Sequence, residues 1–425
     1  MGGRILACHG RSVPVPPIVP PRAGAREPDT TIVHVELRRA AVRSAQVAAL
    51  VALLLVHTMA TATIAPSAEG DMMKAVYVNG WSAIGKVADT VSFGEVPKPA
   101  APIKAEVLVG VKAASISGDD VGLLQDTFAG GTAHSRKPSE AKPLIGGMDY
   151  AGVVLAVGPE CKSLKVGDRV VGIMKPFEYQ PGTWAEQTKA PEKEVVKIED
   201  ESVSFVDAAA VAMGAFVDSA MIKLAGKAVS DGGRCLVIGA SGALGTVMVQ
   251  LLHRKYKAHV TAVCSRKNVE TVRRMGADEV IDYTTQPFEE QLAAVDKFAV
   301  VFDFVGGTKV QNGAAPLIER GGLYVTAVGR VKGWQFRKLT TGEFLSALGY
   351  MLRSMVDCCS KYTWSMAQPY PPLTAEVWRA AVLEAKARAA IAEEVPFAEA
   401  PIRAALRRVA THHAGGRLVL NLDAS

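Results

Sequence analysis

Between Cys235 and Gly245 the chain reads Cys-Leu-Val-Ile-Gly-Ala-Ser-Gly-Ala-Leu-Gly, an apolar run that enters glycines at 239, 242 and 245. A residue without a Cβ lets a backbone turn sharply or come close to another group. Gly239 is placed for a tight turn, Gly242 for approach to a pyrophosphate, and Gly245 for close packing of the next segment on the strand before it. An amphipathic helix is expected to follow, from Thr246 to about Lys255, and its N-terminus would offer N–H groups and a favourable dipole to phosphate. Ser241, Gly242, Ala243, Leu244 and Gly245 would then line the phosphates of a dinucleotide. The bland alternative is a glycine turn with no ligand.

The choice of dinucleotide is read about twenty residues further on. A site for NAD places Asp or Glu at the end of the second strand, bonded to the ribose 2′-hydroxyl. Here the second apolar run, Val260–Cys264, ends in Ser265-Arg266-Lys267, with no carboxylate. A hydroxyl and two cations suit a 2′-phosphate, which Arg grips with two parallel hydrogen bonds. This favours NADPH over NADH; the competing reading is a solvated loop with ordinary surface cations.

The elements that must position these residues follow from periodicity. Lys74–Tyr77 and Ala105–Ala113 alternate apolar and polar residues, as half-buried strands do. Tyr150–Val157 and Arg169–Ile173 add short strands among the glycines at 152, 158, 167 and 172. After about Ser202, helical stretches alternate with apolar runs at Cys235–Ile238, His259–Cys264, Val280–Ile281, Val300–Phe304 and Leu323–Val328. Strands alternating with helices imply an α/β doubly wound parallel sheet, preceded by a mostly β region.

Composition sets the outer limits. The 425 residues suffice for about two domains. Basic side chains number 48 against 42 acidic, a net charge of +6 spread along the chain, so a nucleic-acid partner is not expected. The six cysteines form no Cys-x-x-Cys pair, and Cys235 and Cys264 lie in apolar runs, where a small buried side chain is the simplest role. Residues 1–71 differ from the rest. Val13–Arg22 is proline-rich; Arg38, Arg39 and Arg43 precede the apolar run Val47–Val56, and small residues follow. Those are the parts of a targeting segment, secretory or plastid-type. A retained membrane anchor and a dispensable extension are the two other readings, so any membrane contact is expected through this segment alone, and a chain without it would be cytoplasmic.

From Met72 onward the chain resembles the medium-chain dehydrogenase/reductase superfamily, in its quinone oxidoreductase and enoyl-reductase-like branch. The matching pieces occur in order: Ala114–Asp120, Ile145–Gly152, Val166–Val170, Gly182–Glu186, the glycine motif, Met275–Asp278 with Ile281–Tyr283, Phe302–Gly307 and Gly415–Leu420. The resemblance implies a GroES-like β-barrel-type catalytic domain over residues 72–200, a Rossmann NADP-binding domain over 201–370, and a C-terminal return to the catalytic domain over 371–425. It also implies a cleft between the two and a homodimer. Zinc alcohol dehydrogenases of this superfamily carry Cys where this chain has Ser117 and His where it has Met148. Neither substitute is a useful zinc ligand. The chain also runs from Gly172 to Gly182 without a Cys, so the four-cysteine lobe is missing, and no metal is expected.

Hydride transfer without a metal calls for an acceptor that is already electron-poor: a quinone, or a double bond conjugated to a carbonyl. Ser117 and Asp120 are the candidate catalytic residues, with Phe128 as an apolar wall for the substrate. A turn-stabilising hydroxyl is an equal reading of Ser117, and a structural carboxylate the bland reading of Asp120. Asp149 and Asp168 lie in glycine turns and are read as turn or interdomain residues rather than acids. By resemblance Tyr283 lies near the cofactor phosphate or adenosine ribose, the other reading being a half-buried aromatic. Val328 and Gly329, at the end of a strand on the carboxyl edge of the sheet, would meet the nicotinamide amide. Arg417 is read equally as a phosphate-region group and as a plain surface Arg. Residues 332–367 would cover the cleft or form a dimer edge, and His412 and His413 a solvated helix end. Two alternatives stand beside an NADPH-dependent quinone or enone reductase: a fatty-acid-type enoyl-thioester reductase, and an NADPH-binding redox sensor without turnover.

Overall fold

A computed structural model describes residues 71–127, 137–174, 182–230 and 232–331, a few positions between 333 and 364, and residues 374–411 and 414–423. Sixteen strands lie among them. The first eight are β1 (Met72–Val78), β2 (Ser92–Pro97), β3 (Glu106–Ile116), β4 (Leu144–Ile145), β5 (Asp149–Val157), β6 (Arg169–Ile173), β7 (Gln187–Pro191) and β8 (Val195–Lys197). Then follow β9 (Arg234–Ile238), β10 (His259–Cys264), β11 (Glu279–Asp282), β12 (Phe298–Asp303), β13 (Ile318–Thr326), β14 (Tyr362–Trp364), β15 (Ile391–Pro396) and β16 (Arg417–Asn421).

The first half is antiparallel. β3 is its spine: β5 pairs along one edge, while β7 takes the first half of the other edge and β16 the second. The sheet order is β15-β16-β3-β5-β6-β8, so the last two strands of the chain return to the sheet built by its first third. A three-stranded sheet, β2-β1-β4, sits beside it. Trp184 locks this half. It is wholly buried, its indole N–H donates to the Ser115 carbonyl at 2.9 Å, and a Cβ on Gly146 or Gly147 would collide with its ring.

The second sheet is parallel throughout, in the order β11-β10-β9-β12-β13-β14. Numbered from β9, that is 3-2-1-4-5-6, the doubly wound order whose ligand crevice opens beyond the carboxyl ends of the strands, where the order reverses. β9 and β12 are apolar along almost their whole length, as strands covered on both faces must be.

One helix, Phe205–Ala225, touches both sheets. Ser204 caps it by accepting from the Asp207 N–H, and Gly226 ends it at φ 58°. It is apolar nearly all round, which suits burial on every side. Length and hydropathy would equally allow a membrane span, but it packs against β3, β5, β6, β16 and β13 inside the protein.

Several expectations are adjusted. The helix after the glycine motif begins at Ala243, runs to Gln250 and continues as a wider turn over Leu251–Lys255. It is not amphipathic: every residue from Gly245 to Leu252 is buried, because the long helix Phe205–Ala225, the helix Val269–Met275 and β9 all pack on it. β13 ends at Thr326, so Val328 and Gly329 lie in the bend beyond the strand. Asp149 is no turn residue but the first residue of β5, fully buried. Phe128, residues 1–70, most of 332–367, and the pair His412 and His413 lie outside the described residues.

Trp184→Ala should cost about 3–5 kcal/mol, since it opens a large cavity and unpairs a buried carbonyl. Urea unfolding measures this as a drop in the transition midpoint.

Candidate active site

Three parallel strands deliver their carboxyl ends to one place. After β9 the chain turns at Gly239, at φ 84°, and the N–H groups of Gly239 and Ala240 donate to the Val263 carbonyl of β10 at 3.2 and 3.1 Å. A Cβ on Gly245 would collide with the Gly239 carbonyl, so helix and strand approach as only glycine permits. Gly242 is different: it is exposed, sits at φ −75°, and a Cβ there would meet only the Gly239 carbonyl at 3.3 Å. The chain's own packing therefore does not demand this glycine. It is the N-cap of the helix, and no side chain caps that first turn. Free N–H groups at a helix start, beside an exposed glycine, form a cradle for an anion.

Beyond β10, Ser265 opens a short turn over Arg266–Asn268. Arg266 and Lys267 are exposed. The Asn268 amide donates to Ser241 Oγ at 3.0 Å and to Ser265 Oγ at 3.2 Å, tying the glycine turn to the end of β10. Tyr283 donates its N–H to the Cys264 carbonyl and leaves half its surface exposed. Its neighbour Asp282 is held below the usual carboxylate range, first by the Thr284 hydroxyl, with Arg266 contributing.

At the end of β12 lies Asp303, fully buried. Its carboxylate accepts from the N–H groups of Val305 and Gly306 and from the hydroxyls of Tyr324 (2.8 Å) and Thr326 (2.9 Å). Thr326 Oγ1 in turn accepts from Val328 and Gly329, and Gly307 donates to the Gly329 carbonyl. One carboxylate thus shapes both the loop after β12 and the bend holding Val328 and Gly329.

A second neighbourhood gathers at the end of β3. Ser117 and Asp120 form a reciprocal cap for the short helix Gly118–Leu123: Asp120 Oδ2 accepts from the Ser117 N–H and hydroxyl at 2.7 Å each, and Ser117 Oγ accepts from the Asp120 N–H. Asp120 is buried, its Oδ1 has no partner, and burial, reinforced by the nearby Asp149, pushes its carboxyl up to about 7. Asp149 accepts from the Ser115 N–H (2.7 Å) and hydroxyl (2.5 Å). Burial raises its pKa too, while Arg417 opposes the rise. Arg417, at the start of β16, is buried with Nε and Nη2 unpartnered. Asp218, on the long helix, is wholly buried with both oxygens unpartnered; burial lifts its carboxyl well above the usual range against the pull of Arg417. Met148 lies in the adjoining apolar core. The long helix joins the two neighbourhoods, because Gly214 packs against Val247 of the nucleotide-side helix one turn before Asp218.

Sequence reasoning missed Asp303, Asp218 and Asn268. Asp303 closes a buried strand and Asp218 interrupts an apolar helix, both legible signals of a polar group with a task. Asn268 left no such mark, for its role exists only when two distant turns meet.

The comparisons with known proteins agree with this architecture. A family model described as the alcohol dehydrogenase GroES-like domain matches residues 103–200, and one described as zinc-binding dehydrogenase matches residues 275–420. A mitochondrial NAD(P)H oxidoreductase, RTN4IP1 of Mus musculus, is 33% identical over 341 residues, covering 75% of this chain and 82% of the relative. The chain belongs to the medium-chain dehydrogenase/reductase family, and it is an oxidoreductase. A chloroplastic NADPH-dependent alkenal/one oxidoreductase of Arabidopsis thaliana is 32% identical over 256 residues, covering 59% of this chain and 62% of its own length. The quinone oxidoreductase structure from Coxiella burnetii superposes with a TM-score of 0.65 over 83% of this chain and 100% of its own; at 20% identity that likeness shows the fold alone.

Two predictions follow from the buried carboxylates. Asp303→Ala leaves two N–H groups and two hydroxyls without their acceptor and should cost about 3–5 kcal/mol, read by chemical denaturation. For Asp120, the folded-state pKa of about 7 lies above the ordinary 3.8, so the folded protein binds the extra proton. Stability should fall as pH rises through that window. Asp120→Asn removes the titration, so its melting temperature should gain on wild type between pH 5 and pH 8 by several degrees, which is what about 2–3 kcal/mol gives in a chain of this size.

Proposed function

We propose that this enzyme carries hydride from NADPH to a quinone or an α,β-unsaturated carbonyl without zinc. As an oxidoreductase of its family it works with a nicotinamide cofactor. The observation that carries the reading is the uncapped helix start behind an exposed Gly242, flanked by Ser265 and Arg266 where an NAD site would have a carboxylate. The nicotinamide supplies the hydride when bound. The backbone of residues 241–245 would hold the pyrophosphate, and Ser265, Arg266 and the half-exposed Tyr283 the adenosine ribose and its 2′-phosphate. The Val328–Gly329 bend, held by Thr326 and Asp303, would meet the carboxamide, whereas Arg417, buried at the end of β3 and facing Asp149 and Asp218, would fall on the acceptor side and not with the phosphates.

The metal-free part rests on the residues at the end of β3. The Ser117 hydroxyl is engaged by Asp120, and Met148 packs in the core. Neither is a donor that zinc prefers. An acceptor that polarises its own double bond needs from the protein only orientation, exclusion of water and a hydrogen bond where charge develops. Ser117 would be the hydroxyl for that bond, backed by Asp120, which near neutral pH can carry a proton. The alkenal/one activity in the name of the Arabidopsis relative supports this substrate class. Residues 1–71 are proposed as an organellar address, in keeping with the mitochondrial and chloroplastic relatives.

The test is a reductase screen on protein starting at Met72, with a quinone, an enone and a crotonyl thioester, each with NADPH and with NADH. Turnover of the quinone or enone with NADPH, undiminished by a chelator, is the expected result. Arg266→Asp should weaken NADPH by roughly tenfold or more, the size of a lost charge-assisted hydrogen bond, and spare NADH. Equal loss with both would remove the proposed phosphate clamp.

A further inference from the structure

Asn268 occupies a position that no motif singled out. Its side-chain amide has two donor protons, and both are used: one toward Ser241 Oγ at 3.0 Å, in the glycine turn, and one toward Ser265 Oγ at 3.2 Å, at the end of β10. The two hydroxyls belong to segments 24 positions apart in sequence, and Asn268 is half-buried between them. A serine hydroxyl owns one proton and accepts through its lone pairs. When an amide N–H fills an acceptor site on each oxygen, the hydroxyl proton must point away from the amide. Among the described residues neither hydroxyl donates to a protein partner through the hydrogen bonds found. Both are left as outward donors, next to the exposed cations of Arg266 and Lys267. A convergent set of hydroxyl donors and cations without an acceptor is complementary to a phosphate monoester.

We propose that Asn268 is a positioning residue for cofactor selectivity: it orients the Ser241 and Ser265 hydroxyls as donors to the 2′-phosphate of the dinucleotide. The inference rests on the NADPH reading above and adds to it the group that arms the site. Charge alone would be supplied by Arg266 and Lys267. The amide supplies direction, and it joins the turn that holds the pyrophosphate to the turn that reads the ribose.

Two substitutions separate this role from simple support of the loop. Asn268→Ala removes both donors and frees the hydroxyls to turn inward. Asn268→Asp keeps the shape but reverses the chemistry: a carboxylate accepts from the serine hydroxyls, takes their protons from the phosphate, and adds a like charge. Binding is measured by fluorescence titration of NADPH and of NADH, which differ only in the 2′-phosphate, alongside the melting temperature of each protein. The expected result is a loss of NADPH affinity of about tenfold for Asn268→Ala, as for one or two hydrogen bonds. For Asn268→Asp it is about a hundredfold, as for a like charge placed beside a phosphate. NADH should change by less than about threefold in both, since it lacks the group being read. Unchanged NADPH binding in both variants, or equal loss of both nucleotides, would overturn the assignment. The wild type decides the underlying reading separately: if it does not prefer NADPH to NADH, the cofactor proposal falls first and this one with it.

Discussion

The helix Phe205–Ala225 is the constraint on which the arrangement depends. A helix that is apolar on nearly every face cannot stand in water, so it must be covered from all sides. The antiparallel sheet covers one flank through β3, β5, β6 and β16, and the parallel sheet with its nucleotide-side helix covers another. Burying this surface is worth far more than any single hydrogen bond in the molecule, at about 25 cal/mol per Å² of apolar area. The two halves are therefore held together by one helix, which packs on β3 and, through Gly214, on the helix that follows β9. The fit is close: Gly214 leaves room for Val247, and a Cβ there would press into that side chain.

Within that frame the polar groups divide the work. Asp303 is fully satisfied, with four donor groups converging on two oxygens, and it makes the loops at the carboxyl end of the parallel sheet rigid. Asp120, Asp218 and Arg417 are the opposite case, buried titratable groups with oxygens or N–H groups left over. Unpartnered buried polar atoms cost stability, and such groups cluster where a protein has use for them. The contrast places structure on the β12 side and unspent polarity on the β3 side. An oxidoreductase needs this division: a firm seat for the cofactor and a few groups able to donate a hydrogen bond beside it.

Much of the site could be read in the chain before any coordinates. The glycine spacing, its apolar lead-in and the Ser-Arg-Lys that ends the next strand were legible because backbone turns and phosphate recognition impose residue types at fixed separations. The positive φ at Gly239 and the close approach at Gly245 follow from the absence of a Cβ, which sequence displays directly. Period-two alternation pointed to β1 and β3, and short apolar runs among glycines to β5 and β6, while β2, β4, β7 and β8 were not legible in the chain. The helix at Ala243 was misjudged as amphipathic, since only the packed structure reveals that both its faces are covered.

What the sequence determined by itself is local: the glycine turn, the hydroxyl and two cations that follow the second strand, the alternating strands, and the absence of Cys and His where zinc relatives have them. Tertiary structure alone decided that β16 returns to pair with β3 and carries Arg417 next to Ser117. It decided too that Asp218 meets the field of Arg417, and that Asn268 links two serines from separate turns. The physical reason is range. Turn chemistry and side-chain periodicity act over a few residues and leave a pattern in the chain, whereas contacts between distant segments exist only after the apolar helix has drawn both sheets onto itself.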